Sequence, residues 1–176
     1  MTKALVLLSA GLDSTINLAK SIYDGIETQA LTFDYGQKAA KQEIFKSKLL
    51  CEHYKIQHTI LELPWFKDIT SSALINSNEK IPELTTETLD DETTTRESAK
   101  RVWVPNRNGV FLNIAASFAE GNSIGKIIVG FNAEEAKTFP DNSEEYMFRI
   151  NKALEYSTLT EVVVTSFTTT MNKIQI

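Results

Sequence analysis

With 176 residues the chain fits one domain that can bury a substantial core, and its single cysteine, Cys51, excludes an intrachain disulfide and a four-thiolate zinc site. Apolar residues at 42% and charged residues at 23% match an ordinary globular protein, and no run approaches the roughly 20 apolar residues of a membrane span. A net charge of −5 argues against a broad nucleic-acid surface, which needs clustered Lys and Arg, but leaves room for a small anion held by backbone groups.

Residues 4–8, Ala-Leu-Val-Leu-Leu, form the continuous apolar run of a strand buried on both faces. The run is too short for a signal peptide, so a soluble, cytoplasmic protein is expected. A helix is predicted from Ser14, with Ile16, Leu18, Ala19 and Ile22 inward and Gly25 closing it. Residues 29–33 predict a second strand, 38–54 a long helix, and 56–63 a third strand stopped by Pro64.

From residue 65 to 101 the periodicity fails, and residues 82–100 are dense in Thr, Glu and Asp. Such a stretch cannot bury enough surface to offset its ordering entropy, so a polar, mobile insert at about 66–101 is expected within the domain. Residues 108–120 then predict a helix, with Val110, Phe111, Ile114, Ala115 and Phe118 at helical spacing. Residues 126–131 predict a buried strand, Ser143 opens a helix with a capping box, and 161–167 predict a last strand. Strands alternating with helices imply an α/β fold: a doubly wound, five-stranded parallel sheet, expected in the order 3-2-1-4-5.

The densest chemistry lies in Leu8-Ser9-Ala10-Gly11-Leu12-Asp13-Ser14-Thr15, between the first strand and the first helix. A turn of small residues offers backbone N–H groups, and a helix N-terminus adds about half a positive charge. Ser9, Ser14 and Thr15 can donate to phosphate oxygens, and Gly11 permits a backbone conformation or a close approach that a Cβ would block. Asp13 would repel a phosphate alone, so its natural partner is Mg²⁺, which takes carboxylate and phosphate oxygens together. The P-loop NTPase and dinucleotide fingerprints are both missing. What remains resembles the Ser-x-Gly-x-Asp-Ser loop of the ATP pyrophosphatases, which holds the β,γ-phosphates of ATP.

Three further segments narrow the resemblance: Asp34-Tyr35-Gly36-Gln37, Val104-Pro105-Asn106-Arg107-Asn108, and residues 130–135 with Phe139-Pro140-Asp141. In this order they look like the 7-cyano-7-deazaguanine synthase family, which makes the nitrile precursor of queuosine and archaeosine. The resemblance implies conversion of 7-carboxy-7-deazaguanine and ammonia to the nitrile, with ATP and Mg²⁺, through an adenylated intermediate. It also implies small-molecule substrates without nucleic acid or membrane, and a homodimer. Leu8 through Thr15 with Phe33 and Gly130 would bind ATP, while Tyr35, Gln37, Arg107, Asn108, Phe111, Glu135 and Asp141 would bind substrate.

Several of these roles stay open in the sequence. Arg107 anchors a phosphate or the substrate carboxylate, or pairs with a surface carboxylate at a helix start. Asn108 caps the helix or touches nucleotide, and Glu135 and Asp141 hold Mg²⁺ or a guanine-like edge, or stand as solvated acids. Tyr35 and Gln37 pack on a ring or fill a turn, and Trp103 belongs to the core or the pocket. His53 and His58 read as solvated. Ala10 stands where the family has Gly, which predicts a restricted loop. Zn²⁺ is expected for the family on four C-terminal cysteines that this chain, ending at Ile176, does not contain; a fragment or a lost segment is the expectation. The competing readings are another adenylating enzyme (a tRNA thiolase, lysidine synthetase or amide ligase) or a nucleotide sensor without chemistry.

Overall fold

The computed structural model describes residues 2–76, 78–79 and 92–176, with the backbone alone at 92–96. β1 (Lys3–Leu7) is buried through its three middle residues, because each face of its pleat meets a layer of helices. Leu5 faces one side with Leu31, Ile127 and Leu112, and Ala4 and Val6 face the other with Leu18, Ala30 and Ile128. Burying a side chain of the Leu5 kind contributes about 1.5–3 kcal/mol.

The remaining strands are β2 (Glu27–Asp34), β3 (His58–Glu62), β4 (Lys126–Ile128) and β5 (Val163–Thr165). They form one sheet in the order β3-β2-β1-β4-β5, every pair parallel, as the sequence predicts. α1 (Leu12–Tyr23) and α2 (Ala40–Tyr54) supply Leu18 and Cys51 to one layer; α5 (Arg107–Gly121) and α6 (Glu144–Ser157) supply Leu112 and Leu154 to the other. Short α3 (Phe66–Ile69) and α4 (Glu92–Val102) lie between β3 and α5 in the chain. Among the described residues no helix is long and apolar enough to cross a membrane.

Several local expectations are corrected. α4 is helical inside the stretch expected to be a loop; Glu, Arg, Lys and Ala are good helix formers, and its end is tied down where Ala73 N donates to Arg101 O at 2.8 Å. Residues 80–91 of the expected mobile insert lie outside the described residues. α1 begins at Leu12 rather than Ser14, and its fully buried face is Ser14, Asn17, Leu18 and Ser21. Polar groups can face the sheet there because they are paired: Ser21 and Thr28 share a hydrogen bond of 2.8 Å.

On α5 the buried stripe runs through Leu112, Ala115, Ala116 and Ala119, with Val110, Phe111, Ile114 and Phe118 half-buried beside it. Small side chains pack directly on the strands and larger ones fill the flanks. The Ser143 cap is half a capping box: its Oγ accepts from Tyr146 N at 3.1 Å, but position N3 is Tyr146, which cannot reach back as Glu would. His58 is half-buried on β3, with Nε2 2.8 Å from Thr32 Oγ1; burial and Lys48 lower its pKa.

Candidate active site

β1 pairs β2 on one side and β4 on the other, so the chain connections leave it in opposite directions and open a crevice at the carboxyl ends of the strands. A cavity of about 390 Å³ fills that crevice. Ligand sites span about 300–1,000 Å³, so it has room for a nucleotide-sized group.

The loop after β1 forms one wall. Its left-handed residue is Ala10, at φ 58, not Gly11, at φ −72. A Cβ on Gly11 would meet only Ser9 Oγ, at 3.5 Å, so the missing side chain leaves the outward face of the loop open rather than permitting an unusual backbone. Inside the loop, Ser14 Oγ donates to Gly11 O at 3.1 Å and lies 3.3 Å from Ser9 N and from Ser9 Oγ; Gly11 N donates to Ser9 Oγ at 3.4 Å. Most of these contacts are long and weak, so a charged oxygen could replace them. No side chain caps α1. Gly130, just after β4, touches this helix start: a Cβ there would sit 2.7 Å from Ser14 N and 3.0 Å from Asp13 C. Only glycine allows that approach.

The floor carries charge. Burial raises the Asp13 carboxyl above its ordinary pKa, Glu135 adds to the rise, and Lys173 and Asn132 oppose it. Lys173 Nζ lies 2.8 Å from Glu135 Oε1 and 3.9 Å from Asp13 Oδ2. That pairing holds the lysine ammonium more firmly protonated, with the Glu135 hydrogen bond as the main cause. Asn132, fully buried, positions the acidic turn by accepting from Glu134 N at 3.0 Å and Glu135 N at 2.8 Å. Its Nδ2 lies close enough to favour a charged Asp13, yet neither that atom nor Asp13 Oδ1 closes a hydrogen bond. Two buried polar atoms in the floor are thus left to bond a water, an ion or a ligand.

The opposite wall is aromatic and cationic. Phe33 and Phe111 stack at 4.2 Å, and Tyr35 meets Phe111 edge-on at 5.3 Å. Arg107 donates from Nη1 to Tyr35 Oη at 3.2 Å. Burial raises the Tyr35 pKa although Arg107 opposes it, so the phenol stays protonated.

Thirteen of the expected residues line this one cavity: Leu8, Ser9, Gly11, Leu12, Asp13, Ser14, Phe33, Tyr35, Arg107, Asn108, Phe111, Gly130 and Glu135. Four do not. Ala10 and Thr15 turn to the far side of the loop, where they line another pocket with Leu49 and Leu50. Gln37 is buried behind the wall as a brace: it accepts from Tyr35 N at 2.9 Å and donates to Phe33 O at 3.1 Å and Glu43 Oε2 at 2.8 Å. Asp141 lines an adjoining cavity that Trp103 also lines. Asn108 does not cap α5, whose flanking residue is Asn106 at φ 50; its Nδ2 donates to Asp141 O at 3.3 Å.

The sequence reading missed Lys173. It sits in a polar stretch with no periodicity, and only the fold brings it to Asp13. Asn132 was legible beside Gly130, but its buried position was not.

The residues present fit one magnesium ion: Asp13 offers an unpartnered carboxylate oxygen, and this ion takes one or two carboxylates with phosphate oxygens. They do not fit zinc. No group of three or more His, Cys, Asp or Glu is poised for a metal among the described residues, and burial pushes the Cys51 thiol up to about 11.

Residues 3–176 match the family described as queuosine biosynthesis protein QueC. A 7-cyano-7-deazaguanine synthase of Pelotomaculum thermopropionicum is 49% identical over 174 residues, 99% of this chain and 79% of that one. That of Carboxydothermus hydrogenoformans is also 49% identical, across 100% of this chain and 81% of its own. Among solved structures, one described as a predicted subunit of tRNA methyltransferase from Methanocaldococcus jannaschii superposes with a TM-score of 0.60 over 99% of this chain and 72% of that one. At 12% identity that likeness concerns the fold alone. Family match and close relatives together decide the assignment: the chain belongs to the queuosine biosynthesis protein QueC family.

Proposed function

We propose that the chain makes the product its relatives are named for, 7-cyano-7-deazaguanine, by ATP-dependent conversion of 7-carboxy-7-deazaguanine and ammonia. The observation that carries this reading is one cavity shared by the uncapped start of α1, the hydroxyl loop at residues 9–14, and Arg107.

A carboxylate is a poor electrophile, so the carboxylate oxygen attacks the α-phosphorus of ATP and pyrophosphate departs. The loop and the α1 N-terminus receive that charge through N–H groups and hydroxyls. Ammonia attacks the acyl carbon, AMP leaves, and an amide remains. Its oxygen attacks a second ATP in the same way; loss of AMP and of two protons from nitrogen leaves the nitrile. Arg107, with its planar fork, orients the carboxylate or steadies the α-phosphate. Phe33, Tyr35 and Phe111 offer flat faces to ring systems. Magnesium bound at Asp13 would screen the triphosphate. Lys173, held by Glu135 and near Asp13, adds a positive charge to the same floor.

A cytoplasmic location and pairing of two copies complete the proposal; Phe45 and Leu49 on α2 expose 54% and 43% of their surface, as an apolar contact needs. The test is an assay for AMP and pyrophosphate release. Release should require both the carboxy-deazaguanine and ammonia, and Asp13→Ala or Ser14→Ala should cut kcat/KM by about 10²–10³-fold, the cost of losing one preorganised charge-stabilising group. Release that depends on tRNA, or folded variants with unchanged turnover, would reject the reading.

A further inference from the structure

Next to the main cleft lies a second cavity of about 250 Å³. The two share Arg107, Glu135 and Asn142 in their walls, so they adjoin. The smaller one has a different chemistry. Trp103 and Phe139 present rings 14° from parallel, with centroids 6.3 Å apart. Such faces favour a flat heteroaromatic ring offset against them. Asp141 stands in the same wall, and its main chain is held where Asn108 donates to its carbonyl at 3.3 Å.

The smaller cavity sets Asp141 and Glu135 beside Arg107 but lacks the N–H loop and the Lys173 of the main cleft, so it offers less to a phosphate. A carboxylate is instead a two-oxygen acceptor that matches adjacent ring N–H and amino donors. At about 250 Å³ the space lies just under the roughly 300–1,000 Å³ of drug-sized sites, which suits a single fused bicycle.

We propose that the smaller cavity is the subsite for the heterocycle: a fused-ring base lies against Trp103 and Phe139, sets its N–H donor edge on Asp141, and passes its exocyclic carboxylate by Arg107 into the nucleotide cleft. This placement rests on the function proposed above. It divides the work between two spaces, with the reacting carboxylate meeting ATP at the wall they share.

The chain has two tryptophans, so Trp65→Phe leaves Trp103 as the sole emitter. Titration of that protein with 7-carboxy-7-deazaguanine, without ATP, should quench Trp103 fluorescence saturably. Asp141→Asn should raise KM for the carboxy-deazaguanine by about tenfold or more while KM for ATP stays within about twofold. Turnover by the wild-type protein combined with no quenching, or with both KM values of Asp141→Asn rising together or neither rising, overturns the subsite and leaves the activity standing. A wild-type protein that turns over no carboxy-deazaguanine defeats the activity, and the subsite falls with it.

Discussion

The loop wall of the cleft, residues 9–14 with Gly130, presents mostly backbone and hydroxyl groups, whereas the α5 wall presents the side chains of Arg107, Phe111 and Tyr35. The first depends on where the main chain runs, within tenths of an ångström, as the Gly130 contact shows. The second depends on side chains from β2, α5 and the turn after β2 converging across the sheet. A backbone site therefore breaks when a neighbour pushes the chain, and a side-chain site breaks when a chemical group is exchanged.

The largest expected effect tests the loop wall. In Gly130→Ala the new Cβ would meet the main chain at Ser14 N, and backbone cannot rotate away as a flexible side chain can. Overpacking of this kind costs about 1–3 kcal/mol, and displacement of the α1 start should weaken ATP by about tenfold or more. Calorimetric titration with ATP reads it. Affinity within about twofold of wild type would mean that the helix start does not hold the phosphates.

A smaller effect separates binding from stability at Asp13. Burial raises its folded pKa above the unfolded value of about 3.9. Between the two values the folded state keeps a proton that the unfolded chain has lost, so this group favours folding at low pH and opposes it once pH passes the folded pKa. Asp13→Asn removes a buried charge, so its melting temperature should exceed wild type near about pH 8, with the difference vanishing below about pH 4. Magnesium-dependent ATP binding should fall in the same variant. A lower melting temperature near about pH 8 would show that attraction to Lys173 outweighs the burial cost.

Smallest is Ala10→Gly. A left-handed alanine costs about 1–2 kcal/mol, and the greater freedom of glycine in the unfolded chain returns part of it. A net gain of about 1 kcal/mol or less is expected in denaturant melts. A loss would mean that the alanine methyl packs favourably against Leu49 and Leu50 beside it.

How legible each part was follows from the range of the interaction behind it. The alternation of strands and helices and the hydroxyl loop after β1 could be read, because apolar runs and a motif between strand and helix are local patterns, whereas the site positions of Phe33, Tyr35 and Phe111 followed only from the family resemblance. Gln37 stayed open, since its residue type suits a ligand as well as a brace, and its bonds to Tyr35 N and Phe33 O place it behind the wall. Asn17 went unnoticed on a helix read by its apolar residues. Its Nδ2 donates to Thr168 Oγ1 at 2.8 Å and its Oδ1 accepts from Phe167 N at 2.8 Å, across 151 and 150 residues of chain.

By itself the sequence determined the alternation of strands and helices and the residue types of the loop. These are one-dimensional facts: a period of apolar side chains, and small hydroxyl residues between a strand and a helix. Tertiary structure alone decided that Lys173 would face Asp13 and Glu135, that Gly130 would touch the α1 start, and that Asp141 would stand in a separate cavity beside Trp103. Those contacts join residues far apart in the chain, and no local periodicity encodes a distance that is set by how layers of helices pack on a sheet.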